Sequence, residues 1–252
     1  MIDAPIKEVS GVCIADGWVI IIGDDAPVLA AAPWTPDLSA PWTLIDVAAL
    51  PGAPKGTGQF EAVEHLSGAT VGVLCEDPPL LLAVDLTARE VIGHWELVVD
   101  LKGLRKKWRK DAGSRGEGMV FGPDRVFVVK EKKPAAIIEF GPPGADSAGT
   151  PRPGAWEVAP GTELHAVRHR ELDFDDISDA TVADGRVWLV SDQERLLIDV
   201  TNERTWRLPK HIKKPEGLAR TPDGRWLVAS DNKSGKRSLH LVRDEELRPE
   251  HA

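Results

Sequence analysis

The chain has 252 residues and a formal net charge of −9, from 31 basic and 40 acidic side chains. A surplus of acid disfavours duplex binding, which is driven by phosphate neutralisation, and disfavours docking on anionic lipid. Hydrophobic residues make up 42% and charged residues 28%, and the length suits one domain, residues 1–252, with a sizeable core.

The first residues, Met1 to Glu8, have neither a basic region nor an apolar stretch of the kind a secretory leader needs. Trp18–Ile22 is apolar but too short to span a bilayer. The expectation is a soluble, cytoplasmic protein, unless a leader has been removed. Cys13 and Cys75 lie in apolar runs with no CxxC spacing, which predicts buried free thiols rather than a disulfide.

The same short pattern then recurs along the chain. The first copy opens at Ser10, turns at Asp16-Gly17 and ends on Asp24. The second opens at Glu61 and ends on Glu76; the third opens at Glu117, turns at Pro123-Asp124-Arg125 and ends on Glu131. The fourth opens at Ser178, turns at Asp184-Gly185 and ends on Asp192; the fifth opens at Glu216, turns at Asp223-Gly224 and ends on Asp231. Asp-Gly between β-branched runs is a strong hairpin signal. A third apolar run follows each pair: 28–32, 80–84, 135–140, 196–200 and 239–242. A fourth strand is expected at 42–47, 90–99, 155–158 (or 164–167) and 205–208.

Four strands per repeat is the pattern of propeller blades. The fold expected is an all-β, single-domain β-propeller of five blades, with six as the alternative. The last copy lacks an outer strand, so residues 3–9 are expected to supply it. The ring would then close by pairing the two ends of the chain, which removes exposed sheet edges. Three segments interrupt the pattern. Residues 51–59 are a Pro/Gly-rich loop, and 141–154 are another. Residues 101–111 read as a short surface helix: Leu101, Leu104 and Trp108 share one face, Asp100 is placed to cap it, and the outer side is basic. The nine tryptophans read as packing between blades rather than as a sugar-stacking surface.

The phrases Gly116-Glu117-Gly118-Met119, Pro215-Glu216-Gly217-Leu218, Ser191-Asp192 and Gly23-Asp24-Asp25 resemble the blade motifs of the SdiA-regulated and phytase-like propellers. They also resemble a related propeller family of unknown function. The resemblance covers nearly the whole chain and implies the propeller fold. Some propellers of this kind bind Ca²⁺ near the central channel, and some hydrolyse phosphate esters or lactones. Its motifs build blades and do not by themselves fix a chemistry.

In a propeller the first strand of each blade lines the channel, so strand openings and second-strand ends share one face. Glu61, Glu117 and Glu216 occupy three openings, with Ser10 and Ser178 in the other two. Asp24, Glu76, Glu131, Asp192 and Asp231 follow the second strands, 14 or 15 residues after each opening. Three glutamates facing one axis repel one another unless a cation, a base or a shared proton compensates. Oxygen ligands from several blades suit Ca²⁺. Asp179 stands where the other copies carry Gly or Ala, and joins Glu61, Glu117 and Glu216 as a candidate metal ligand; Asp175 and Asp176 precede it. Lys130 and Lys132 follow the second strand of the third copy and could hold an anionic group beside such a cation. The competing reading is structural: acids after strands cap turns, and the glutamates pin neighbouring blades.

Two functions follow. One is a binding scaffold for a small molecule or a protein partner at the channel mouth, without nucleic acid or membrane, acting as a monomer. Its ligand residues would be Asp24, Glu76, Lys130, Lys132, Asp176, Asp192 and Asp231. The other is a metal-dependent hydrolase of phosphoesters, esters or lactones, with Glu61, Glu117, Glu216 and His65 as catalytic candidates. His165 and His169, four apart, are a weaker zinc candidate without a third ligand nearby. No nucleophile elbow, P-loop, dinucleotide fingerprint or HExxH motif is present.

Overall fold

Short β-branched and aromatic runs, broken by Asp-Gly, Pro and Gly, cannot continue as long strands, so the chain folds back on itself in antiparallel hairpins. The computed structural model describes residues 1–110, 115–149 and 154–250. The first unit is β1 (Val9–Ala15), β2 (Trp18–Gly23), β3 (Val28–Pro33) and β4 (Thr43–Asp46). The second is β5 (Phe60–Ser67), β6 (Thr70–Cys75), β7 (Leu80–Asp85) and β8 (Glu90–Val98). After helix α1 (Leu104–Lys110), the third is β9 (Gly118–Phe121), β10 (Val126–Lys130), β11 (Ala136–Gly141) and β12 (Leu164–Glu171). The fourth is β13 (Asp179–Ala183), β14 (Arg186–Ser191), β15 (Leu196–Asp199) and β16 (Arg204–Arg207). The last holds β17 (Pro215–Arg220), β18 (Trp226–Ser230) and β19 (Leu239–Val242), followed by β20 (Arg248–Glu250).

Within each unit consecutive strands pair antiparallel. Asp16-Gly17 and Asp184-Gly185 take positive φ at both central positions, the two-residue turn that matches strand twist. The inner strands β1, β5, β9, β13 and β17 contact one another in that order, and β17 returns to β1. This is the propeller arrangement that the repeats predict. Each hydrophobic cluster sits between two consecutive units, as Met119 and Phe121 do against Leu74 and Leu81. The inner strands approach so closely that a Cβ on Gly118 would lie 2.3 Å from the Ala180 amide nitrogen.

The N-terminal segment completes the fifth unit, as the repeat predicts, but through scattered backbone bonds rather than a full strand over residues 3–9, with the Ala4 and Glu8 amides donating to the Gly235 and Asn232 carbonyls. Of the N-terminal segment only Ile2 makes a ladder pair, exchanging both backbone hydrogen bonds with Leu239 at 2.8 and 3.0 Å. The C-terminal strand β20 pairs with β16 of the fourth unit instead. Units two and three are also joined, because β8 and β12 run parallel through Leu97 and Leu164. The third unit takes its outer strand from Leu164–Glu171, and residues 155–158 are not a strand.

Helix α1 buries Leu104 and Trp108 as its spacing predicts. Asp100 does not cap it, since its carboxylate meets His165 at 3.2 Å, and the first helical amides bond to the Leu101 carbonyl. The predicted end of this helix at Asp111, and residues 150–153 of the predicted loop, lie outside the described residues. Both cysteines are buried and unpaired, and burial pushes the Cys75 thiol up to about 12. Among the described residues no helix is long and apolar enough to cross a membrane.

Candidate functional site

The five repeat openings share a backbone feature that aims their side chains. In β1 the pairing skips Ser10, in β5 it skips Glu61, and in β17 it skips Glu216. In the third unit the Glu117 amide and Gly118 both face Val129, and in the fourth the Ser178 amide and Asp179 both face Val190. Each opening residue is thus the extra residue of a bulge, the device that bends a strand and re-aims a side chain.

The two serines and the three glutamates use this position differently. Ser10 Oγ donates to the Phe60 carbonyl at 2.9 Å, and Ser178 Oγ donates to the Pro215 carbonyl at 2.6 Å, so each fastens its unit to the next. Glu61, Glu117 and Glu216 line a cavity of about 330 Å³ at the mouth of the channel, whose wall also includes Ser10. Four second-strand acids, Asp24, Glu76, Glu131 and Asp231, line the same cavity, with Glu8 as an eighth carboxylate. Among the described residues the three glutamates form no side-chain hydrogen bond and no ion pair. Three of the four outer acids are compensated: Glu131 pairs with Lys132 and Asp231 with Lys214, each at 2.5 Å, and Glu76 accepts from the Arg115 amide at 3.1 Å. Asp231 Oδ1 is buried without a partner.

Electrostatics follow from this layout. Burial, reinforced by the neighbouring acids, pushes Glu61 up to about 8 and Glu216 up to about 9. The same causes carry Glu117 well above the usual carboxylate range. Asp24 is raised by burial and then by Asp25. Glu8, Asp24 and Asp25 bring one carboxylate oxygen each within 4.8 Å of one another at the rim.

Other sequence candidates fall elsewhere. Asp179 is fully buried outside the cavity lining, and its oxygens accept from the Ala180 and Leu218 amides at 2.7 Å. It replaces the close backbone packing of Gly118 with a side-chain bridge from the fourth unit to the fifth. Asp176 is also buried, accepting from Ser191 Oγ and from the Asp192 and Gln193 amides. Asp192 does not line the cavity, although its charge is felt at Glu216. Lys130 is buried with its ammonium on the Lys132 carbonyl, and Lys132 is held by Glu131. His65 lies at the far end of β5, where its ring meets the Gly68 carbonyl at 3.0 Å. His165 is held between Asp100 and Glu163.

Two acids escaped the sequence reading. Glu8 enters the cavity from the segment before β1, outside the repeat. Glu64, in β5, is buried and accepts from the His65 amide at 2.8 Å, and the nearby Thr181 side chain and Val182 amide favour its charged form. It reaches β13 in a unit that is not adjacent to its own. Burial pushes it up to about 7. An acid inside an apolar inner strand was the signal for it.

The SdiA-regulated family model matches residues 52–232, well over half of the sequence. The chain belongs to the SdiA-regulated family. The family match spans from the loop before the second unit to the end of β18, and so contains Glu61, Glu117 and Glu216. The chain is also similar in structure to a glutaminyl cyclase from Myxococcus xanthus, with a TM-score of 0.58 at 10% identity, covering 99% of this chain and 94% of that one. A streptogramin B lyase is similar at a TM-score of 0.48 and 13% identity, covering 99% and 71%. A virginiamycin B lyase from Staphylococcus aureus gives 0.47 and 12%, covering 99% and 72%. At such identities the likeness to the cyclase concerns the fold alone, and the fold is a propeller. No curated protein sequence matches the chain.

Proposed function

We propose that this member of the SdiA-regulated family is a ligand-binding propeller whose channel mouth takes a hard divalent cation, Ca²⁺ foremost. One observation carries the reading: Glu61, Glu117 and Glu216 line one cavity and, among the described residues, form neither a side-chain hydrogen bond nor an ion pair. Carboxylates that share one poorly solvated cavity are costly unless protonated or met by a cation. The cavity wall suits a hard ion, since among the described residues it offers eight carboxylates and no His or Cys. The partnerless Asp231 Oδ1 adds an acceptor. When bound, the cation supplies positive charge to which an oxygen-rich small molecule can be attracted. Glu61, Glu117 and Glu216 would face it from the cavity wall, Glu8, Asp24 and Asp25 bring three carboxylate oxygens within 4.8 Å of one another at the rim, and Lys132 and Lys214 stay engaged with their own acids. A hydrolytic role would have to draw its base from the carboxylates, because His65 sits at the other end of its strand.

Titration calorimetry with Ca²⁺ and Mg²⁺ on chelator-treated protein tests the reading. Near-stoichiometric Ca²⁺ uptake, weakened about tenfold or more by Glu117→Gln in a protein that melts normally, is expected. Absence of uptake overturns it.

A further inference from the structure

On the face opposite the mouth, units four and five enclose a cavity of about 250 Å³. Strand periodicity and register build it. Arg186 and Trp188 are two apart on β14, and Arg204 and Trp206 are two apart on β16, so each pair points to one side of its strand. Cross-strand register sets Trp188 beside Asp199, and Asp199 beside Arg204. From the fifth unit, register sets Arg220 beside Trp226. The three indoles meet: Trp188 lies 5.3 Å from Trp206 and 4.9 Å from Trp226, centroid to centroid.

The wall is preorganised. The Arg186 guanidinium lies 5.3 Å from the Trp188 ring centre and bonds to Asp199 at 2.9 Å. Arg220 lies 4.6 Å from the Trp226 ring centre and grips Asp244 with two bonds, of 2.7 and 2.9 Å. Trp226 Nε1 donates to the same Asp244 at 3.0 Å. Asp199 also accepts from the Thr201 and Asn202 amides, which fixes its orientation. Two members stay available. Trp206 is partly exposed, and Arg204 is exposed with no ion pair among the described residues.

We propose that this cleft is a second binding site, separate from the acid mouth, and that its ligand is a neutral sugar ring. Three features select that class. The cavity falls just below the roughly 300–1,000 Å³ of drug-sized sites, so the ligand is small. Its charges balance, with Arg186, Arg204 and Arg220 set against Asp184, Asp199 and Asp244, so a net charge on the ligand gains nothing overall. Its surface joins an aromatic floor to a rim that both donates and accepts hydrogen bonds. A pyranose matches both halves: its weakly positive C–H face suits the negative face of an indole, and its hydroxyls suit guanidinium and carboxylate groups. Trp206 is the stacking surface, because guanidinium groups already lie over Trp188 and Trp226. Arg204 is the free donor.

The test is saturation-transfer NMR and titration of tryptophan fluorescence on the full chain. The probes are glucose, galactose, mannose and their disaccharides, with glucuronate and glucosamine as charged counterparts. Saturable binding of a neutral sugar is expected. Trp206→Ala should weaken it about tenfold or more, Arg204→Ala severalfold, and Trp206→Phe much less. Trp18→Ala, at an exposed tryptophan on the first unit, should leave it unchanged. Melting curves check the fold of each variant. If Trp206→Ala fails to fold, the exposed Arg204 position still decides. No saturable binding of any neutral sugar, tighter binding of a charged one, or equal binding by folded Trp206→Ala or Arg204→Ala would each overturn the proposal.

Discussion

The channel holds two layers of buried acid that are treated in opposite ways. Away from the mouth, Asp179 and Glu64 are hydrogen-bonded: the Ala180 and Leu218 amides serve one, and the His65 amide serves the other. At the mouth, Glu61, Glu117 and Glu216 have no such partners among the described residues and face an open cavity. A carboxylate surrounded by backbone N–H groups is part of the scaffold, and removing it strands those donors. A carboxylate kept away from every donor destabilises the empty protein and gains only when something enters.

The largest effect should therefore come from the layer that binds nothing. Asp179→Ala leaves two buried amides unsatisfied at the junction of units four and five. The expected loss is about 2–4 kcal/mol, read by chemical denaturation. At temperatures where that variant is folded, it should still take up Ca²⁺ as the parent does. Unchanged stability with lost uptake would erase the contrast between layers.

Next in size is the response to pH. The folded-state values of Glu64, Glu61 and Glu216, about 7, 8 and 9, lie above the ordinary carboxylate value near 4.5. The folded protein then holds more protons than the unfolded chain between those limits. The contribution of these three acids to stability is fullest below about pH 4.5 and falls as pH rises towards 9. Melting temperatures of chelator-treated protein should decline across that window. Saturating Ca²⁺ should remove the mouth's share of the decline and leave that of Glu64. Glu117→Gln should flatten the slope even without metal, since it deletes one acid from the repelling set. A pH-independent melting point would mean that the mouth acids are compensated in solution.

The contrast was only half legible beforehand. Hairpin chemistry is local, so Asp-Gly turns and β-branched runs disclosed the repeat and placed acids at equivalent points of each copy. Hydrogen-bond supply is not local. Asp179 was conspicuous as a charged residue at a Gly/Ala position, yet its role depends on the Leu218 amide, 39 residues away, brought beside it by ring closure. Glu8 belongs to no repeat, and the segment before β1 carries it to the cavity. The bulges that aim Glu61 and Glu216 arise from cross-strand register, which no single strand encodes. The outer strand of the third unit was ambiguous because two apolar runs competed. Only Leu164–Glu171 has the length to pair with β11 and still meet β8.

The smallest expected effect tests the openings themselves. All five sit on bulges, but only the serines spend their side chains on the next unit. Ser178→Ala deletes the 2.6 Å bond to the Pro215 carbonyl, and Ser10→Ala deletes the 2.9 Å bond to Phe60. Each should cost about 1 kcal/mol, because one hydrogen bond between units is lost with little change in packing. Glu117→Gln in the metal-free protein should cost nothing, or stabilise, since it breaks no bond and relieves repulsion. If the glutamine variant instead loses as much as the serine variants, the glutamates fasten units too. The opening position would then have one structural task in every repeat, and the mouth would lose its claim to be set apart for a ligand. If the two classes separate, the same bulge serves two ends: hydroxyls hold the ring together at two junctions, and carboxylates are kept free at three.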